Sequence, residues 1–113
     1  MSTFARTSIL AAAVLAGVVT LGIPASLRAG PSTHTIVVDN LEFGPAPNDL
    51  RVGDVVEWRN RDLFRHSATA SDGSFDVDLP AGGTGKTILK KSGEIAYYCR
   101  YHPGMKGVLA VAP

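Results

Sequence analysis

Cysteine is all but missing from this chain: Cys99 stands alone among 113 residues. One cysteine forms no internal disulfide, so the protein has no covalent staple of its own. An excess of charge of one sign is missing too. Eleven Lys and Arg stand against ten Asp and Glu, a net charge of +1 that excludes the basic footprint of a general nucleic-acid binder. Charged residues make up 19% and hydrophobic residues 45%, the wrong balance for a disordered chain. The length leaves room for one domain and excludes large nucleotide-binding or barrel enzymes. No repeat is visible. After Ala29 no stretch keeps a three-to-four-residue apolar period, so little helix is expected.

The one long apolar run lies at the start. Residues 9–23 read ILAAAVLAGVVTLGI behind a short polar segment whose single charge is Arg6. A positive start, an apolar stretch and a small-residue exit are the parts of a secretory signal, with cleavage expected after Ala29. The alternative is an uncleaved membrane anchor, because the uncharged stretch from Thr7 to Leu27 is 21 residues long. Either way the segment 1–29 places the domain 30–113 outside the cytoplasm, in the periplasm. Without Arg6 and Arg28 the remaining 84 residues carry 9 basic and 10 acidic side chains. A domain this small usually leans on disulfides or a metal. With no second cysteine available, a lone exported thiol is an oxidation liability or a ligand.

The domain reads as all-β. Thr35–Asp39 is β-branched, Val52-Gly53-Asp54 turns into Val55–Trp58, and His66–Ala70 alternates like a half-buried strand. Ser71 to Gly85 is rich in Gly, Asp, Ser and Pro and reads as a long loop. Thr87–Leu89, Ile95–Cys99 and Gly107–Ala112 complete a set of short strands separated by turns, the pattern of a Greek-key sandwich or barrel. Residues 80–87, PAGGTGKT, end like a phosphate-binding loop. That motif needs Gly where Pro80 stands and a helix behind it, and Ser92-Gly93 interrupts the chain instead.

The chemistry concentrates in Cys99-Arg100-Tyr101-His102-Pro103-Gly104-Met105. Cys99, His102 and Met105 offer a thiolate, an imidazole and a thioether at intervals of three, and Pro103-Gly104 forces the turn that lets them converge. His66 supplies a second imidazole from another strand, 33 residues upstream. Each residue has an ordinary reading: buried Cys, gap-filling Met, surface His. Together, in an exported chain, they form a soft donor set that suits one copper ion in both oxidation states. Zinc would take the Cys and both His but gains little from the Met.

These residues, with Val52-Gly53-Asp54, Trp58-Arg59-Asn60, Tyr98-Cys99 and Met105-Lys106-Gly107, resemble the cupredoxins. These are small blue-copper proteins of the plastocyanin and pseudoazurin kind. The two-residue gap between His102 and Met105 is similar to the short loop of the amicyanin group. The resemblance implies an eight-stranded Greek-key sandwich with copper bound near one end by His66, Cys99, His102 and Met105. The family's residue after the first His is often Asn; here it is Ser67, which keeps the backbone amide aimed at sulfur and changes the side chain. Strand alternation places Tyr97 in the core and Tyr98 outside. Trp58 is expected in the core, and His34 on the surface without a partner.

A site with four protein ligands leaves no position for substrate, so the expectation is an electron carrier and not an enzyme. His102 would be the electron port, with Pro103, Gly104 and Phe64 as an apolar rim for transient docking. Redox proteins, a c-type cytochrome or an amine dehydrogenase by analogy, are the expected partners of a monomer. Arg65, Arg100 and Lys106 suggest a basic border facing an acidic partner. The other reading is a periplasmic copper carrier or buffer without redox turnover.

Overall fold

A computed structural model describes residues 11–18 and 30–113. The expected signal or anchor therefore lies outside the described residues, apart from the exposed, irregular segment 11–18. No helix among the described residues is long and apolar enough to cross a membrane.

The domain is a β-sandwich of nine strands among the described residues. They are β1 (Thr33–Asp39), β2 (Glu42–Phe43), β3 (Leu50–Arg51), β4 (Val55–Asn60), β5 (His66–Ala70), β6 (Asp76–Leu79), β7 (Thr84–Ile88), β8 (Gly93–Tyr98) and β9 (Lys106–Ala112). One sheet runs β2-β1-β4-β7 and the other β3-β9-β8-β5-β6. The chain changes sheet repeatedly, so sequence neighbours face each other across the core. Both sheets are mixed, because β1 lies parallel to β4 and β3 parallel to β9. Period-two alternation puts Ile36, Val38, Val56, Trp58, Val77, Leu79, Ile95, Tyr97, Leu109 and Val111 inside. Trp58 packs edge-on to Tyr97 at 5.7 Å between ring centroids, and Phe75 and Phe43 close around them. Tyr97 lies across Gly107, its cross-strand neighbour, where a Cβ would come within 2.6 Å of the ring. Glycine is required there.

Three expectations change. The stretch read as one loop from Ser71 to Gly85 contains β6 and the start of β7. Asp76 and Asp78 look like turn residues, but they are the solvent-facing half of an alternating strand whose other half, Val77 and Leu79, is buried. Strand β5 is buried on both faces. His66 and Ala68 face the core side; on the other face Ser67 takes the Arg100 amide and Thr69 bonds to Asp76 of β6. The phosphate-loop look-alike ends in β7, an edge strand, and no helix follows it.

The third change concerns His34. It is largely buried and its Nε2 lies 2.9 Å from Asp54 Oδ2, with Asp49 3.7 Å from its Nδ1. Asp54 also accepts the amides of Ser32 at 3.0 Å and Arg51 at 3.1 Å, pinning the turn between β3 and β4 to the start of β1. Burial pushes the Asp54 carboxyl up, but the Ser32 amide, the His34 ring and the Arg51 amide together bring it below the usual carboxylate range. A carboxyl lowered in the folded state stabilises the fold above the unfolded-state value of about 4. That contribution is lost as the pH falls through the lower folded-state value. Denaturant unfolding of Asp54→Asn at pH 7 should show a loss of about 1–3 kcal/mol. The difference from wild type should shrink at pH 3 and below.

Candidate metal centre

At one end of the sandwich β5 and β8 separate. Their ladder pairs Ala70 with Tyr97 and Thr69 with Tyr98, and then stops. Beyond that point the ladder's work passes to side chains. The Ser67 amide donates to Cys99 Sγ at 3.4 Å, and the Arg100 amide donates to Ser67 Oγ at 2.8 Å. Cys99 itself is fully buried. The chain then turns through Pro103-Gly104: the Met105 amide donates to the His102 carbonyl at 2.8 Å, and the Cys99 amide to the Met105 carbonyl at 3.1 Å. These two bonds fold residues 99–105 into a closed loop, with the Met105 side chain buried beneath it.

The loop brings His102 to His66 and Cys99. His66 Nδ1 lies 3.7 Å from Cys99 Sγ, His102 Nδ1 lies 3.8 Å from the same sulfur, and the two ring nitrogens are 3.1 Å apart. All three donor atoms lie within 4.8 Å of one another. For a metal about 2.0 Å from nitrogen and about 2.3 Å from sulfur, those edges subtend about 100° between the nitrogens and about 120° to sulfur. The spacing of these three donors therefore fits a single late first-row ion, which His66, Cys99 and His102 would hold together.

A residue that the sequence reading did not single out fixes the His66 ring. Asp62 Oδ2 sits 2.7 Å from His66 Nε2 and also accepts the Leu41 amide at 3.0 Å; Oδ1 accepts the Asn40 amide at 2.8 Å. With the Nε2 proton given to a carboxylate, Nδ1 is left as the lone-pair donor aimed at the sulfur. Burial raises the Asp62 carboxyl, but the Leu41 amide, the His66 ring and the Asn40 amide bring it below the ordinary range. Asn40 and Leu41 both have positive φ, 51° and 60°, and Asp62 is what holds this tight β1–β2 turn in place. Asn60 shapes the same loop from beneath. Its amide group donates to the carbonyls of Phe64, Leu79 and Pro80, and its oxygen accepts the Asp62 amide at 2.9 Å.

His102 is half-buried, whereas His66 and Cys99 are sealed. Phe64, 57% exposed, stands edge-on to His102 at 6.3 Å, and Leu63, Tyr101, Pro103 and Gly104 are exposed nearby. Of the three cations of the expected basic border, Arg65 makes a two-pronged pair with Asp78, at 2.6 and 3.0 Å, Arg100 pairs with Asp76 at 3.2 Å, and Lys106 is exposed. The two guanidinium groups also flank Tyr101, each 5.5 Å from its ring centroid. Tyr97 is in the core, as alternation predicts, and Tyr98 is half-buried.

No protein-family model matches the chain, and no curated protein matches it in sequence. Solved structures do match. A reduced, Cu(I) form of an amicyanin variant at pH 4 superposes with a TM-score of 0.59 at 20% identity, over 77% of this chain and 88% of that one. Amicyanin from Paracoccus versutus superposes with a TM-score of 0.58 at 17% identity, over 77% and 87%. The fold is that of a cupredoxin. At such identity the likeness carries the architecture, and the chemistry rests on the residues above.

The Asp62 carboxylate gives the first test at this site. Asp62→Ala should weaken binding of a divalent metal roughly 10–100-fold, read by competition with a chelator. Asp62→Glu should recover part of the loss.

Proposed function

We propose that this protein is a one-electron carrier holding one copper ion through His66 Nδ1, Cys99 Sγ, His102 Nδ1 and the thioether of Met105. The observation that carries the reading is the convergence of one sulfur and two imidazole nitrogens, with edges of 3.1 to 3.8 Å, inside a closed and largely buried end of the sandwich. Copper, when bound, supplies a Cu(I)/Cu(II) couple that this mixed soft and imidazole donor set accepts in both states. The protein's part is to keep the donors where they are. Asp62 holds the His66 ring, the Ser67 amide holds the Cys99 sulfur, and the Cys99–Met105 backbone bonds hold the loop. Sealed His66 and Cys99 keep water away, which opposes exchange and substrate chemistry alike. An electron carrier is favoured over an enzyme because four protein donors leave no place for a substrate.

His102 is the port in this reading. It is the less buried of the two imidazoles, and the exposed Phe64 beside it and Pro103 after it form a small apolar surface suited to brief contacts. Redox proteins dock there, a c-type cytochrome or a dehydrogenase among the candidates. Since Arg65 and Arg100 already have acidic partners, charge steering is a small part of the encounter. The N-terminal run of residues 9–23, as a signal or an anchor, supports export of a monomeric domain 30–113 to the periplasm.

The test is a visible spectrum of the purified protein with one equivalent of Cu(II), then ascorbate, then air. An intense blue thiolate band that bleaches and returns is the expected result, and Cys99→Ser should abolish it. Copper that leaves on reduction would favour a carrier or buffer over an electron shuttle. The absence of a blue band would refute the centre.

A further inference from the structure

Outside the donor atoms, the outer face of β5 and β6 carries a closed circuit of hydrogen bonds whose direction can be worked out. The Arg100 amide donates to Ser67 Oγ at 2.8 Å, Ser67 Oγ and Thr69 Oγ1 are 2.9 Å apart, and the Thr69 hydroxyl donates to Asp76 Oδ1 at 2.8 Å. Arg100 Nε returns to the same Asp76 oxygen at 3.2 Å. A hydroxyl has one proton to give. Thr69 gives its proton to the carboxylate, so between Ser67 and Thr69 the donor is Ser67. Every donor in the run thus points away from Cys99 and towards Asp76. Ser67 is fully buried and Thr69 nearly so, and such chains polarise one another in a low dielectric.

We infer that Thr69 and Asp76, which touch none of the donor atoms, are positioning residues for the Cys99 centre, acting through Ser67. The circuit starts at the two residues that stand where the β5–β8 ladder fails. Ser67 gives its amide to Cys99 Sγ and takes the Arg100 amide on its hydroxyl. Holding the Ser67 proton on Thr69 leaves the Ser67 oxygen free to accept, and so fixes the chain on both sides of the sulfur. Asp76 makes that arrangement the preferred one, because its carboxylate can only accept. The chain's Ser at this position is therefore one member of a relay that includes Thr69 and ends at a surface carboxylate. This inference rests on the copper reading for its effect on redox chemistry.

The experiment uses the full chain with Thr69→Val, Asp76→Asn, the double variant, and Thr69→Ser as the variant that keeps the hydroxyl. Thr69→Val and Asp76→Asn should each raise the midpoint potential. Both let the Ser67 proton turn from its outward path, and Asp76→Asn also removes a negative charge that favours the oxidised centre. The double variant should match the larger single shift and not their sum, and Thr69→Ser should behave as wild type. In the metal-free protein, hydrogen exchange at the Arg100 amide should quicken about tenfold in both single variants, with the Trp58 and Leu109 amides unchanged. A potential that moves in Asp76→Asn but not in Thr69→Val, or shifts that add, would make Asp76 a distant charge and overturn the relay. So would unchanged Arg100 exchange. A wild-type protein with no blue band would refute the copper reading separately, leaving Arg100 exchange to decide the relay by itself.

Discussion

The centre depends on an interrupted ladder. β5 and β8 pair only at Ala70–Tyr97 and Thr69–Tyr98. Had they continued, the backbone of Ser67 would have found its partners on β8 and Cys99 would be one more core side chain. Instead the strands part, and buried backbone groups that need partners find side chains. The Ser67 amide goes to sulfur and the Arg100 amide to a hydroxyl. A buried amide without a partner is costly, so where the ladder ends the Ser67 amide turns to the Cys99 sulfur and helps to fix it. The donor atoms are thus held by the accounting of backbone hydrogen bonds and not by side-chain packing alone.

The other donors are fixed by loops tied down at their own ends. His66 opens β5, and the loop before it is shaped by Asn60 from inside and anchored by Asp62 outside. Asp62 does two things at once. It selects the His66 nitrogen that faces the sulfur, and it holds a β1–β2 turn whose two central residues, Asn40 and Leu41, both sit in the left-handed region. Leu41 has no intrinsic liking for that region. The carboxylate that orients the imidazole is also what keeps that turn in place, so the geometry of one is linked to the geometry of the other.

Much of this could be read in the sequence, and the parts that could not share a cause. Strand β5 was legible to the residue, and the donor cluster followed from the spacing of Cys99, His102 and Met105 around Pro103-Gly104. That His66, Cys99 and His102 meet is now a matter of distances. β6 was hidden because Asp76 and Asp78, turn-like in composition, are the outward half of an alternating strand, and composition outweighed period in the reading. The sequence pattern marks Asp54 only as part of a turn and Asp76 only as part of a loop, and it does not mark Asp62. What makes each matter is a partner 4 to 22 residues away, and no local pattern announces it. His34 failed for the same reason: its partner Asp54 lies on a neighbouring turn that the parallel β1–β4 pairing brings alongside. The acids that pair with Arg65 and Arg100 went unseen because they lie on β6, the strand hidden by its composition.

The uneven burial of the donors ties the fold to its use. His66 opens β5 and Cys99 directly follows β8, and both are sealed, whereas His102 comes from the turn and is half-buried beside Phe64. A site sealed all round would protect a metal but place every partner behind a layer of protein. A site open all round would exchange its metal and admit water. Here the sheet supplies the buried side and a seven-residue closed loop supplies the accessible one, with one half-buried imidazole between the interior and solvent. The loop's shortness is what makes this work. The Cys99 amide bonded to the Met105 carbonyl and the Met105 amide bonded to the His102 carbonyl tie the ends of the segment that carries Tyr101, His102, Pro103 and Gly104.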